Sequence, residues 1–171
     1  MQFEHLVQIN DPQLTDVRFL SRAQVWFGLV ARAYKPEKFI LGLVNCTIHN
    51  RQQNGETTVL SRSLNYGSFV IHDTIALHEG SHTENNIAAN EFCGDSCMTI
   101  RIEEPEPQQL WLRFRYEVGS PEHENPESEL MQAQMDEARR QAYRAADIDT
   151  VKMIRELALS VPEDGQSGLT H

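Results

Sequence analysis

The sequence predicts an α+β domain in which a seven-stranded, curved antiparallel sheet wraps around a long C-terminal helix, with two short helices after the first strand. Three observations carry this. Apolar residues alternate with a period of two through most of residues 40–118, as half-buried strands require. The breaks between these runs are short, and a parallel return would need a crossover of about a dozen residues. Outside that region the period changes to three and four, between Leu20 and Pro36 and again from Glu127 to Ser160, which is helical spacing. The chain has 171 residues, 40% apolar and 23% charged. That is the size and composition of one globular domain.

Each element has its own signal. Phe3, His5, Val7 and Ile9 share a face of a first strand, which Asn10-Asp11-Pro12 ends. A short helix is predicted over Leu14–Leu20. The second begins at Ser21 and Gln24, which have the spacing of a capping box. Its apolar face carries Val25, Trp26, Leu29, Val30 and Ala33, and Pro36 stops it by forcing Lys35 out of the α region. Six strands follow, over Leu41–Asn50, Thr57–Tyr66, Phe69–His78, His82–Glu91, Cys97–Glu103 and Gln109–Val118. Asn54-Gly55 marks a hairpin that needs positive φ, and Gly67, Gly80, Gly94, Pro105 and Pro107 punctuate the rest. In the last strand Leu110, Leu112, Phe114, Tyr116 and Val118 face one way, with Trp111 and Arg113 opposite. In the strand before it Met98, Ile100 and Ile102 share a face.

Residues 119–126 read as a polar linker whose acidic run continues to Glu129. The final helix carries a stripe of Met131, Met135, Ala138, Ala142 and Ala145. Ile148, Val151, Ile154 and Leu157 continue it by steps of three, which drift around an ideal helix. A bend between Asp147 and Asp149 is therefore expected, with an aspartate capping a second segment. Residues 1–160 make the domain, and 161–171 are expected to be a flexible tail.

Composition excludes several classes. The net charge of −10 argues against nucleic acid, whose phosphates need lysine and arginine. The apolar runs fall short of the ~20 residues of a membrane span, so no membrane insertion is expected. The N-terminus lacks a secretory pattern, and three cysteines, an odd number, suggest reduced thiols in a cytoplasmic protein. There is no glycine-rich phosphate loop or nucleophile elbow, so no cofactor is expected.

A helix lined with slim alanines and adaptable methionines, laid over a wide curled sheet, should leave space beneath it. An internal cavity for an apolar small molecule follows as the expected site. The order of elements resembles the helix-grip fold of the START-like superfamily, which includes birch-pollen-type allergens, lipid-transfer domains and polyketide aromatase/cyclases. The segment from Leu20 to Ala33 with Pro36 and Phe39 looks like the signature of the AtaL-like group within it. Leu110–Tyr116 and Asp149–Leu157 look like its later motifs. The resemblance implies the fold and a lipid, polyketide-like or aromatic guest, and carries over no catalytic residue.

The expected cavity lining is Trp26, Val30, Phe69, Ile71, Ile100, Leu112, Phe114, Met135, Ala138 and Ala142, with Arg62, Asp73 and Tyr116 as its polar groups. Arg62 and Asp73 lie on the apolar faces of adjacent strands, within diagonal reach, and a charge inside must be paired. They anchor a ligand's head group, form a structural pair, or mark a stretch where this face is solvated. Were the protein a cyclase, dehydratase or isomerase, Arg62, Asp73 and Tyr116 would serve as oxyanion clamp, base and proton donor. Otherwise Tyr116 is a core residue whose hydroxyl finds a backbone partner. His5 reads as a core histidine. His78 and His82, with His72 upstream, flank a turn and could hold zinc with a carboxylate; nothing else supports this, and no metal is assigned. Cys93 and Cys97 lack the two-residue spacing of a redox or zinc knuckle. Trp111 faces outward, where a protein partner could bind.

Overall fold

The computed structural model describes residues 1–91, 94–119 and 129–160. Strand β1 (Gln2–Gln8) is followed by helix α1 (Arg22–Tyr34), then β2 (Asn45–Asn54), β3 (Thr57–Asn65), β4 (Val70–His78), β5 (His82–Ile87), β6 (Ser96–Glu103), β7 (Trp111–Val118) and helix α2 (Glu129–Leu159). The sheet order is β1-β7-β6-β5-β4-β3-β2. Every neighbouring pair is antiparallel, so the chain folds as a meander closed by β1 returning beside β7. This is the predicted α+β architecture.

Alternation sorts each strand's side chains between the two faces. The inner face buries Leu60, Arg62 and Leu64 of β3, Asp73, Ile75 and Leu77 of β4, Thr83 and Asn85 of β5, Ile100 and Ile102 of β6, and Leu112, Phe114 and Tyr116 of β7. Helix α1 covers it with Val25, Trp26, Leu29 and Ala33. The capping box forms as read: Ser21 Oγ accepts from the Gln24 amide, and Gln24 Oε1 accepts from the Ser21 amide. Lys35 leaves the helix at φ −135°, and Pro36–Lys38 form one 3₁₀ turn. In the β2–β3 hairpin, Gly55 takes φ +61°, which suits a two-residue loop.

Three expectations are corrected. Residues 14–20 are not a helix. The buried Asn10 amide donates to the Leu20 and Gln108 carbonyls, both at 2.8 Å, and its oxygen accepts from the Leu20 amide at 2.9 Å. Arg155 of α2 donates to the Ile9 and Arg18 carbonyls. These side chains hold the segment's ends by its backbone groups and pin it as a connection of turns. Strand β2 starts at Asn45 rather than Leu41, because the Leu43 amide closes a turn on the Ile40 carbonyl, and β5 stops at Ile87 rather than Glu91.

The third correction concerns α2. It runs unbroken over 31 residues, so there is no second segment for an aspartate to cap. Its buried residues are Asp147, Thr150, Val151, Ile154 and Ala158. Steps of 3.6 residues back from these put Tyr143 and Arg140 on the inner side. The expected lining residues Met135, Ala138 and Ala142 are therefore exposed, Met135 by 47%. The rotation is fixed by the C-terminal turns, where Ile154 lies directly on Gly28 of α1.

A Cβ at residue 28 would lie 2.7 and 2.8 Å from the two γ carbons of Ile154, and a β-branched side chain cannot turn both away. Gly28→Ala should cost roughly 1–3 kcal/mol, read from urea unfolding. Combined with Ile154→Ala it should cost less than the two changes summed, because they share one contact.

Candidate functional site

The inner face carries a belt of polar residues in an otherwise apolar core. At one end Arg62 and Asp73 stand directly opposite one another, not diagonally. Their side chains are 2% and 1% exposed. Arg62 Nε donates to Asp73 Oδ1 at 2.9 Å and Nη2 to Oδ2 at 2.5 Å, a bidentate pair. Its Nη1 donates to the Ala33 carbonyl at the end of α1 at 2.6 Å, and Asn85 of β5 donates to Asp73 Oδ2 at 3.1 Å. The pair clamps α1, β3, β4 and β5 together, and neither group is left as a free base or oxyanion donor.

At the other end Tyr116 of β7 donates its hydroxyl to Asp147 Oδ1. This replaces the backbone partner expected for Tyr116. The second carboxylate oxygen of Asp147 lies 3.2 Å from His5 Nδ1 on β1, and the Tyr143 ring stacks on Tyr116 at 4.0 Å. Burial raises the Asp147 carboxyl above the usual range, against hydrogen bonds from Tyr116 and His5 that lower it. Burial, and then the Asp147 charge, push the Tyr116 phenol up. The aspartate read as a helix cap is the hub of a buried hydrogen-bonded chain.

Between the two clusters lies Arg32, from the last turn of α1. Its Nη2 is 3.9 Å from Met98 Sδ. Met98 is the cross-strand partner of Asn85 on one side and Tyr116 on the other. The Arg32 Nε is closed to solvent and has no acceptor among the described residues. Burial, and then the nearby Arg62 charge, lower its pKa, while Tyr116, Asp147 and Asp73 raise it. A guanidinium nevertheless stays charged. Thr83 Oγ1 and Asn85 Oδ1 on the same face are also buried without partners among the described residues. Arg32 had a signal in the sequence: Val25, Leu29 and Arg32 recur at steps of four and three, which places an arginine on the apolar face of α1.

The remaining expected lining residues divide. Trp26, Ile100, Leu112 and Phe114 are packed in the core, and Val30 and Ile71 are half-buried. Phe69 is 39% exposed and stacks on Tyr66 at 4.9 Å. An open depression of about 870 Å³ reaches Arg62 and Asp73, with Ile87, Ala88 and Val118 in its lining. It lies where β4 continues past the end of its pairing with β5, at Thr74 and Asn86. No residue of α2 lines it, so it is not the closed cavity expected between sheet and helix.

Burial raises the thiol pKa values of Cys46 and Cys97; Cys93, the other half of the expected cysteine loop, lies outside the described residues. Among those residues no helix is long and apolar enough to cross a membrane.

Residues 3–160 match the family described as acetylaranotin biosynthesis cluster protein L. No curated protein matches the sequence. Among solved structures, the di-domain aromatase/cyclase StfQ of the steffimycin biosynthetic pathway superposes with a TM-score of 0.63 at 9% identity, over 93% of this chain and 51% of that one. The chain thus spans about half of that protein. The Zhui aromatase/cyclase from Streptomyces sp. R1128 gives a TM-score of 0.57 at 10% identity over 93% of both chains. Ara h 8.0201 gives 0.53 at 11% identity, over 94% of this chain and 98% of that one. These likenesses establish the helix-grip fold that the sequence resemblance implied.

Two predictions follow from the belt. Asp73→Ala strands a buried guanidinium and should cost about 3–5 kcal/mol, whereas the double change Arg62→Leu with Asp73→Leu should recover most of that loss; chemical denaturation of the three proteins decides it. Asp147 has a raised folded pKa, so the folded state holds its proton more tightly than the unfolded state. That contribution to stability is complete below the ordinary carboxylate pKa and disappears as pH rises through the folded value. Asp147→Asn should flatten this decline in a series of thermal melts from acid to neutral pH, and an unchanged slope would refute the assignment.

Proposed function

Because this chain belongs to the acetylaranotin biosynthesis cluster protein L family, we propose that it binds an apolar, polyketide-like or aromatic small molecule by an oxygen-bearing, anionic end. The observation that carries this is Arg32, a guanidinium drawn into the interior with an unpartnered Nε. Arg32 as a whole is half-buried, but a donor closed to solvent and left without an acceptor is costly and is retained where something pairs with it. A carboxylate or enolate oxygen supplies that partner, and a hydroxyl on the same guest would suit the Asn85 oxygen.

Several features support an apolar body for the guest. Tyr66, Ile71 and Met98 are only half-buried. Helix α2 packs chiefly on α1 and β1, which leaves its N-terminal half exposed and the β3–β4 end of the sheet less covered. The open depression reaches the Arg62–Asp73 end of the belt. The well-packed end around Trp26 and Phe114 is assigned to stability rather than binding.

An enzymatic reading has one specific observation behind it, the Tyr116–Asp147–His5 chain facing the field of Arg32. Arg32 would stabilise a developing oxyanion, and the chain would exchange a proton with it. This moves the oxyanion clamp from Arg62 to Arg32 and the base from Asp73 to Asp147, since Arg62 and Asp73 are locked together, and keeps Tyr116 as the proton donor.

Two fluorescent probes test the reading, an anionic anilinonaphthalene sulfonate and the neutral Nile red. Wild type should take up both. Arg32→Gln should weaken the anionic probe about tenfold or more and leave the neutral one within about twofold. No saturable uptake, or equal loss of both probes, would remove it. If a turnover is found, Tyr116→Phe and Asp147→Asn should abolish it while binding persists.

A further inference from the structure

We propose that His78, His82 and Glu84 form a divalent-metal site, best suited to zinc, on the outer face of the β4–β5 hairpin. The sequence places the two histidines on either side of a turn but does not identify the carboxylate; the structure supplies Glu84. His78 and His82 are direct cross-strand partners. Glu84 lies two residues beyond His82 on the same strand face. One donor atom from each of the three lies within 4.8 Å of the others. Two histidines and a carboxylate are a common zinc set that keeps a fourth position open.

The orientation of the rings favours ligation over chance proximity. The rings are stacked, with centroids 4.2 Å apart. His78 Nδ1 lies 3.2 Å from Thr57 Oγ1, and His82 Nδ1 lies 2.8 Å from Ser81 Oγ. Each ring thus uses Nδ1 on a hydroxyl and keeps Nε2 for an ion, which is how outer-shell partners usually fix a metal-binding histidine. Zinc–nitrogen bonds of about 2.0–2.1 Å hold tetrahedral donors about 3.4 Å apart, so the three side chains must draw in by rotation about their own bonds. Arg101, opposite His82 in the register, and Arg113 and Arg115 in the same groove carry charges that oppose a cation; Arg113 is paired with Glu4 and Glu103 and Arg115 with Glu117, and Glu84 offsets Arg101. The site is on the opposite face from the polar belt and does not depend on what the interior binds.

The test uses the full chain, stripped with a chelator and titrated with zinc against a chromophoric indicator. Binding should be one to one, with Kd of about 10 μM or tighter. His78→Ala, His82→Ala and Glu84→Gln should each weaken it about tenfold or more, and Cys97→Ser should not. In the wild type, histidine ring NMR resonances should move for His78 and His82 and not for His49 or His72. Weaker binding, binding unchanged in the His78→Ala/His82→Ala double variant, or ring shifts confined to other histidines would overturn the site. The NMR measurement needs no variant to fold.

Discussion

A guanidinium taken out of water must have its charge answered, and this fold draws one wholly, Arg62, and one partly, Arg32, into its interior. Arg62 is answered by Asp73, and the answer dictates geometry. The bidentate fork needs β3 and β4 in a register that places the two residues face to face. The third donated bond needs α1 to end at the Arg62 guanidinium. Asn85 ties β5 to the same carboxylate. A one-residue slip of β4 would turn Asp73 to solvent and leave Arg62 bare, so the pair makes the register costly to change.

The same requirement sets the rotation of α2. Asp147 accepts from Tyr116 and lies against His5, while seven residues later Ile154 meets Gly28. Two contacts on one helical stripe, two turns apart, fix the phase of the whole helix. Its methionine–alanine stripe then has nowhere to go but outward. The composition of that stripe suggests an inner wall, yet apolarity alone does not set phase. Phase comes from the turns that make the deepest contacts, and these lie in the C-terminal half.

This explains which features the sequence disclosed. The strands were legible because alternation over 40–118 reports a half-buried sheet directly, and α1 because its capping box and Pro36 bracket an apolar face. Arg62 and Asp73 were legible as inward charges by parity, but their mutual satisfaction depends on a register that parity does not give. Residues 14–20 have helical composition, and long-range bonds from Asn10 and Arg155 override it. Asp147 resembled a cap because its partners, Tyr116 and His5, lie 31 and 142 residues away. Arg32 was hidden in plain view: an arginine on an apolar helical face usually snorkels to water, and only the assembled structure shows that its Nε is closed to solvent.

The two faces of the sheet carry two chemistries on alternate residues of the same strands. Leu77, Thr83 and Asn85 point inward, while His78, His82 and Glu84 point outward. The inner set offers the Thr83 and Asn85 oxygens, without partners among the described residues, on the face to which α1 adds the Arg32 guanidinium, which favours a guest with an anionic head. The outer set offers imidazoles and a carboxylate near water, where a cation can be ligated and its protons released. Because both sets hang from one hairpin, the register that pairs Leu77 with Thr83 also pairs His78 with His82. Any change that shifts this hairpin by one residue would exchange the faces and lose both the Asn85–Asp73 bond and the histidine pair, so this part of the inner belt and the outer histidines share a structural determinant.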